Sequence, residues 1–129
     1  VHRGGAPSLD LAYLPDAWIL SRLAAAVAAV DAHLGAYEIA LSVQAVYDFW
    51  YKDLCDVYLE AIKPVMQLDS SSVANAAAKH ATQSVLHCCL HNGLRLLHPF
   101  MPFVTEELFQ RLQLLAGEPR ASIMLAPYP

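Results

Sequence analysis

Between Asp48 and Pro64 the chain reads DFWYKDLCDVYLEAIKP, and the spacing of apolar residues in and before this stretch decides the fold class. Ile39, Val43, Val46, Trp50, Leu54, Val57 and Ala61 recur at steps of three and four, the period of one buried helix face. Tyr47, Tyr51, Tyr58 and Ile62 widen that stripe, leaving a narrow polar strip of Glu38, Ser42, Lys52, Asp56, Glu60 and Lys63. A helix apolar around most of its circumference needs other helices around it rather than one sheet beneath it. The expectation is a central helix from about Tyr37 to about Val65. It should kink or stop near Pro64, which lacks the amide proton that an interior turn uses. On this reading Cys55 is a buried core thiol.

Working outward, VHRGGAPSLDLAYLPDA is punctuated by Gly4, Gly5, Pro7 and Pro15 and has no helical period. Residues 1–15 therefore read as a linker and 16–129 as one domain. Asp16 suits an N-cap, opening a helix through WILSRLAAAVAAVDAHL to about Leu34, where Gly35 ends it. Ile19, Leu23, Ala26, Val27 and Val30 form its apolar stripe, and the alanines between them allow a close neighbour. The short Gly35-Ala36 connection makes this helix and the central one antiparallel. Downstream, QLDSSS (67–72) is a loop in which a serine should cap the next helix, about Val73 to Leu97. That helix carries Val85, Leu86, Cys89, Leu90, Gly93, Leu94 and Leu97 on one side, and His80, Ser84, His87, His91, Arg95 and His98 on the other. Pro99 and Pro102 break it, and Pro102 opens a last helix, PFVTEELFQRLQLL, to about Leu115. Its apolar side is Phe103, Leu108, Phe109, Leu112 and Leu115, with Glu106 and Glu107 near its positive end. The tail AGEPRASIMLAPYP reads as extended, with Ile123, Met124 and Leu125 packed. The fold expected is all-α: an antiparallel bundle of four main helices with an extended C-terminal tail.

Composition agrees with a folded domain: 129 residues, 57% hydrophobic and 16% charged. A formal charge of -4 excludes a generally basic nucleic-acid binder, so any phosphate contact must come from a local patch. Three cysteines, two of them adjacent, make no disulfide framework and point to a reducing, intracellular setting. The longest purely apolar run of the first half, LAAAVAAV, is far below the roughly 20 residues of a membrane crossing, and no signal-peptide pattern occurs. His87 and His91 have zinc-clasping spacing, but Cys88 points about 100° from His87 on the same helix, so no metal site is expected. The histidine side reads as a solvated polar stripe, or as one facing tRNA if the resemblance described next holds. No Gly-x-Ser-x-Gly elbow or Gly-rich phosphate loop is present, and no catalytic residue is assigned.

Four segments carry a family resemblance: WILSRL (18–23), CDVYLEAIKP (55–64), LRLLHPFMPFVTEELFQRL (94–112) and SIMLAPYP (122–129). Together they resemble the anticodon-binding domain of valyl-tRNA synthetases over nearly the whole chain. HPFMPFVTEELFQRL is similar to several class I synthetases for aliphatic amino acids; CDVYLEAIKP followed by SIMLAPYP is similar to the valine type. Many relatives have Trp where this chain has Val57 and an aromatic where it has Ile39, which leaves one base-stacking position without a ring. The resemblance implies a parent ligase that joins valine to tRNA using ATP and magnesium, whereas this chain itself holds no cofactor. It implies as partners the anticodon arm of valine tRNA and the catalytic domain of the same polypeptide, in a cytoplasmic or organellar monomer away from membranes. HIGH-like and KMSKS-like motifs and an editing insertion are missing, so the chain reads as an excised, non-catalytic piece. The alternatives are a related isoleucyl- or leucyl-type domain, or a helical bundle for protein association or metal binding.

In that family the domain reads the middle adenine and last cytosine of the anticodon, unstacked bases open to ring stacking and edge hydrogen bonds. Arg22, in WILSRL, matches a basic position of the family motif. It reads either as a guanidinium gripping phosphate or a base edge, or as a solvated arginine. Tyr37 and Glu38 open the central helix at the first turn of the bundle. Tyr37 is a stacking platform or merely packs at the helix start. Lys52 and Arg95 are general phosphate-contact candidates that read equally as exposed helix charges, Lys52 being spaced four from both Asp48 and Asp56.

Overall fold

The computed structural model describes residues 13–117 and 121–129. The linker reading of 1–12, and the part of the tail reading that falls on 118–120, lie outside the described residues. Helix α1 spans Leu14–Gly35, with Pro15 in its first turn. Asp16 is not its cap, because the helix starts two residues earlier, with Tyr13 in the capping position. The Asp16 carboxyl turns inward instead, fully buried. There it accepts hydrogen bonds from the Tyr58 hydroxyl (2.7 Å) and Thr82 Oγ1 (2.8 Å), joining three helices at one point.

The C-terminal end of α1 also differs from expectation. Gly35 is still helical, and the left-handed residue that closes the helix is Tyr37, at φ 60°. The Glu38 amide donates to His33 O (2.8 Å) and the Tyr37 amide to Leu34 O (3.0 Å), the paired bonds of a Schellman closure. That closure normally takes glycine, since a Cβ crowds the left-handed conformation.

Three consecutive stretches, Ile39–Tyr47, Asp48–Tyr58 and Leu59–Ala61, form the central helix, here α2. The middle one is a π-helix of 11 residues, in which amides reach back five residues rather than four. The wider turn changes which side chains face the core. Phe49, Leu54 and Tyr58 are buried at steps of five and four, whereas Val57 and Cys55 face outward. The expectation of a buried Cys55 fails for this reason, and that of a helix enclosed over most of its circumference fails as well: Ile39, Val43 and Tyr47, in the α-helical stretch, and Tyr51 are exposed. Ile62 interrupts the helix, and Pro64 sits in the first turn of a short helix α3, Lys63–Met66. Helix α4 spans Val73–Leu97, capped by Ser72 Oγ accepting from the Asn75 amide (3.1 Å). Helix α5, Pro102–Ala116, ends at Gly117, at φ 71°. A single 3₁₀ turn follows at Ile123–Leu125.

Side-chain pairs fix the directions. Tyr13 bonds Ala61 O and Arg22 bonds Asp53, so α1 and α2 are antiparallel. Trp50 Nε1 donates to Gly93 O (3.1 Å), while Asp16 reaches Thr82, which sets α4 beside both. A Cβ on Gly93 would lie 2.9 Å from Trp50 Cζ2, so only glycine lets the indole this close. The main core comprises Ile19, Leu23, Val30, Val46, Phe49, Leu54, Tyr58, Val85, Cys89 and Leu96, with the Cys89 thiol pushed up to about 12 by burial. Helix α1 is long and apolar enough to cross a membrane by length and composition, but here it lays Ile19, Leu23, Ala26 and Val30 on this core.

Helix α5 inverts part of its expected face. Phe109 is buried, with Thr105 and Gln113, whereas Phe103, Leu108 and Leu115 are exposed. Polar anchors explain it: Gln113 Oε1 accepts from the Ala121 amide (2.9 Å), and Glu106 Oε2 accepts from Ser122 Oγ (2.9 Å) and the Ile123 amide (3.1 Å). They pin the tail at residues 121–123, so of the three apolar tail residues only Ile123 is buried, and Met124 and Leu125 are exposed.

Candidate nucleic-acid interface

Two of the five expected contact residues come together. Arg22 projects from α1 and donates from Nε to Asp53 Oδ2 at 2.9 Å. Lys52, on the next helix, pairs with Asp48 at 2.8 Å, and Asp48 also accepts from Gln44 Nε2 at 2.8 Å. The hydrogen bond from Lys52, then that from Gln44, holds the Asp48 carboxyl below its usual range, and the same Lys52–Asp48 bond raises the lysine. Beside these groups lies a recess of about 240 Å³, lined by Arg22, Asp48 and Asp53 at its rim and by Ala25, Ala29, Ala45 and Phe49 within. Arg22 Nε is bound to Asp53, and the Arg22 side chain borders this recess.

Tyr37 and Glu38 stand elsewhere. They follow the end of α1, 15 positions beyond Arg22, about 22 Å at the helical rise. Tyr37 is 89% exposed, so its ring does not pack at the helix start. Glu38 Oε2 lies 2.8 Å from His33 Nδ1, bracing the turn from both sides.

Arg95 is engaged inside the domain. Its Nη1 donates to Pro127 O at 2.6 Å, its Nη2 to Asn92 Oδ1, and its Nε is buried without a partner. Burial lowers its pKa. Together with the Tyr128 hydroxyl, which donates to Leu96 O (3.2 Å), it clamps the tail onto α4.

The histidine side of α4 is not a solvated stripe. The His91 ring packs 4.9 Å from Phe109 and 6.0 Å from His87, and His98 lies 2.7 Å from Thr105 Oγ1 and 2.9 Å from Met124 Sδ. This side faces α5 and the tail. No group of three or more His, Cys, Asp or Glu able to hold a metal occurs among the described residues. One group beside these candidates escaped the sequence reading: Asp53, whose partner Arg22 is 31 positions away. No local pattern marks it, because the pairing depends on the register between α1 and α2.

Residues 16–129 match the family described as the anticodon-binding domain of tRNA ligase. The chain belongs to this family. It is 50% identical over 116 residues to valine–tRNA ligase of Rattus norvegicus, covering 90% of this chain and 9% of the relative. Against valine–tRNA ligase of Caenorhabditis elegans the identity is 45%, covering 88% and 11%. Against the mitochondrial valine–tRNA ligase of Mus musculus it is 49%, covering 88% and 10%. The chain thus spans about a tenth of the length of these relatives. As an anticodon-binding domain it places a charged rim on α1 and α2 and an exposed aromatic ring at the α1–α2 turn.

Proposed function

We propose that this domain recognises the anticodon arm of valine tRNA within a valine–tRNA ligase, the parent enzyme using ATP to join valine to tRNA. What carries the reading is the 45–50% identity to valine–tRNA ligases across about nine-tenths of the chain. The parent works as a monomer in the cytoplasm on this reading, although an organellar form is among the relatives. Arg22 and Lys52 form one contact region. Because two cations there face the carboxylates of Asp48 and Asp53, the region attracts a phosphate weakly. A guanidinium bordering a small-residue recess, with carboxylate acceptors next to it, suits the edge of an unstacked base. Tyr37, braced through Glu38, offers a separate stacking ring. Arg95 holds the tail against α4 and is assigned no RNA contact.

Arg22→Ala in the full-length ligase tests this. Valine activation should stay unchanged, while the advantage of valine tRNA over anticodon variants shrinks by about 1–3 kcal/mol and the salt slope of binding is unaltered. A slope reduced by about one, with all tRNAs weakened alike, makes Arg22 a phosphate contact instead. If aminoacylation, slope and discrimination are all unaltered, Arg22 has no part in recognition.

A further inference from the structure

The outward turn of α2 leaves a groove of about 540 Å³ between α2 and the end of α4, and none of the contacts above uses it. Tyr47, Trp50, Tyr51, Cys55, Phe100 and Met101 line it, and no lining residue is charged. The Tyr47 and Tyr51 rings stack 5.3 Å apart along one wall, each with about half its surface in water (50% and 54%). Trp50 also borders a second, mainly apolar recess with Leu108 and Leu112, which Arg111, paired with Glu107, lines as well, so apolar surface occurs on α2, α4 and α5 around Trp50. An exposed apolar surface of this extent marks an interaction site.

We infer that this groove seats an apolar ridge from the body of the same ligase polypeptide, an inference that rests on the function proposed above. RNA is a poor occupant, since a bound strand brings phosphates and the groove offers no cation to meet them. A second copy is also poor. A two-fold contact sets the same patch against itself, and a concave groove facing its own image leaves a void. The relatives carry this domain as about a tenth of one chain, so the remaining nine-tenths is tethered beside it at high effective concentration. A permanent contact of that kind resembles a core divided in two, as this uncharged, aromatic lining does.

Cys55, exposed on the groove wall, reports the occupant directly. The full-length ligase is treated with a maleimide under native conditions, and labelling of Cys55 is followed by peptide mass spectrometry against the unfolded protein. The seated ridge predicts labelling at least about tenfold slower in the native enzyme without tRNA, at concentrations where it is monomeric. Labelling as fast as in the unfolded protein overturns the inference. Protection that appears only with added tRNA assigns the groove to RNA, and protection lost on dilution assigns it to a second copy; both overturn it. Tyr51→Lys, a charge on the groove wall, should restore labelling, and protection that survives it counts against the ridge. Charging of valine tRNA by the same preparation is read separately. Cys55 protection without charging leaves the groove filled and refutes the functional reading alone.

Discussion

Removing one hydroxyl from the Asp16 junction is the sharpest test of how the bundle is held. Tyr58→Phe keeps the ring that fills the core and deletes only the donor 2.7 Å from Asp16 Oδ1. Thr82→Val does the same for the donor 2.8 Å from Oδ2. Asp16, Tyr58 and Thr82 are all buried, so water cannot replace either donor, and an unsatisfied buried group costs about 1–3 kcal/mol. Each single variant should lose that amount in urea melts of the chain, with the m-value unchanged. Packing loss and hydrogen-bond loss then separate in the triple variant Asp16→Leu, Tyr58→Phe, Thr82→Val. With every polar partner replaced by an apolar group of similar shape, most of the stability should return. The junction has an alkaline signature too. Burial, and then the bond to Asp16, raises the Tyr58 pKa above its ordinary 10.0. Above about pH 10 the unfolded chain releases this proton while the folded chain retains it, so stability is full below that pH and falls above it. Tyr58→Phe should remove that part of the slope. A Tyr58→Phe loss below about 0.5 kcal/mol, the scale of an ordinary surface change, or a triple variant weaker than either single one, refutes the reasoning.

Two other predictions concern packing and the tail. Gly93→Ala gains about 1 kcal/mol of helix propensity but drives a Cβ to 2.9 Å from Trp50, and overpacking at about 1–3 kcal/mol outweighs it. The expected outcome is a lower urea midpoint with a shifted Trp emission, and a stabilised variant would contradict the close approach. Hydrogen bonds from Gln110 first, then Ser122 and the Ile123 amide, depress the Glu106 pKa below its ordinary 4.5. Its hold on the tail is therefore complete above that value and fades as pH falls through the depressed one. The protection of the Ile123 amide, its exchange measured against the intrinsic rate at the same pH, should fall on acidification in the native chain and be low at every pH in Glu106→Leu.

The fold was legible where local chemistry punctuates the chain. Ser72, Pro102 and the apolar periods between them suffice to place α4 and α5, because caps and prolines act on the residues beside them. What was not legible depends on register between helices. A period of three and four assigns Val57 inward and leaves Phe49 off the stripe, whereas the π-helical stretch turns Phe49 in and Val57 and Cys55 out. The expected apolar face of α5 failed similarly, since Glu106 and Gln113 bind a tail whose position no local pattern records. The charged rim was half legible: Arg22 stands out in its motif, but Asp53, which orients it, is set by the crossing of α1 and α2.

Tyr37 bears on how this protein could be engineered. At φ 60°, with the ring almost wholly in water, it occupies a position where glycine would relieve about 1–2 kcal/mol of backbone crowding and forfeit almost no packing. A search for thermostability alone would therefore install glycine there among its first choices. Such a variant would melt higher while the domain lost the exposed ring at this turn, so thermal stability is the wrong guide there.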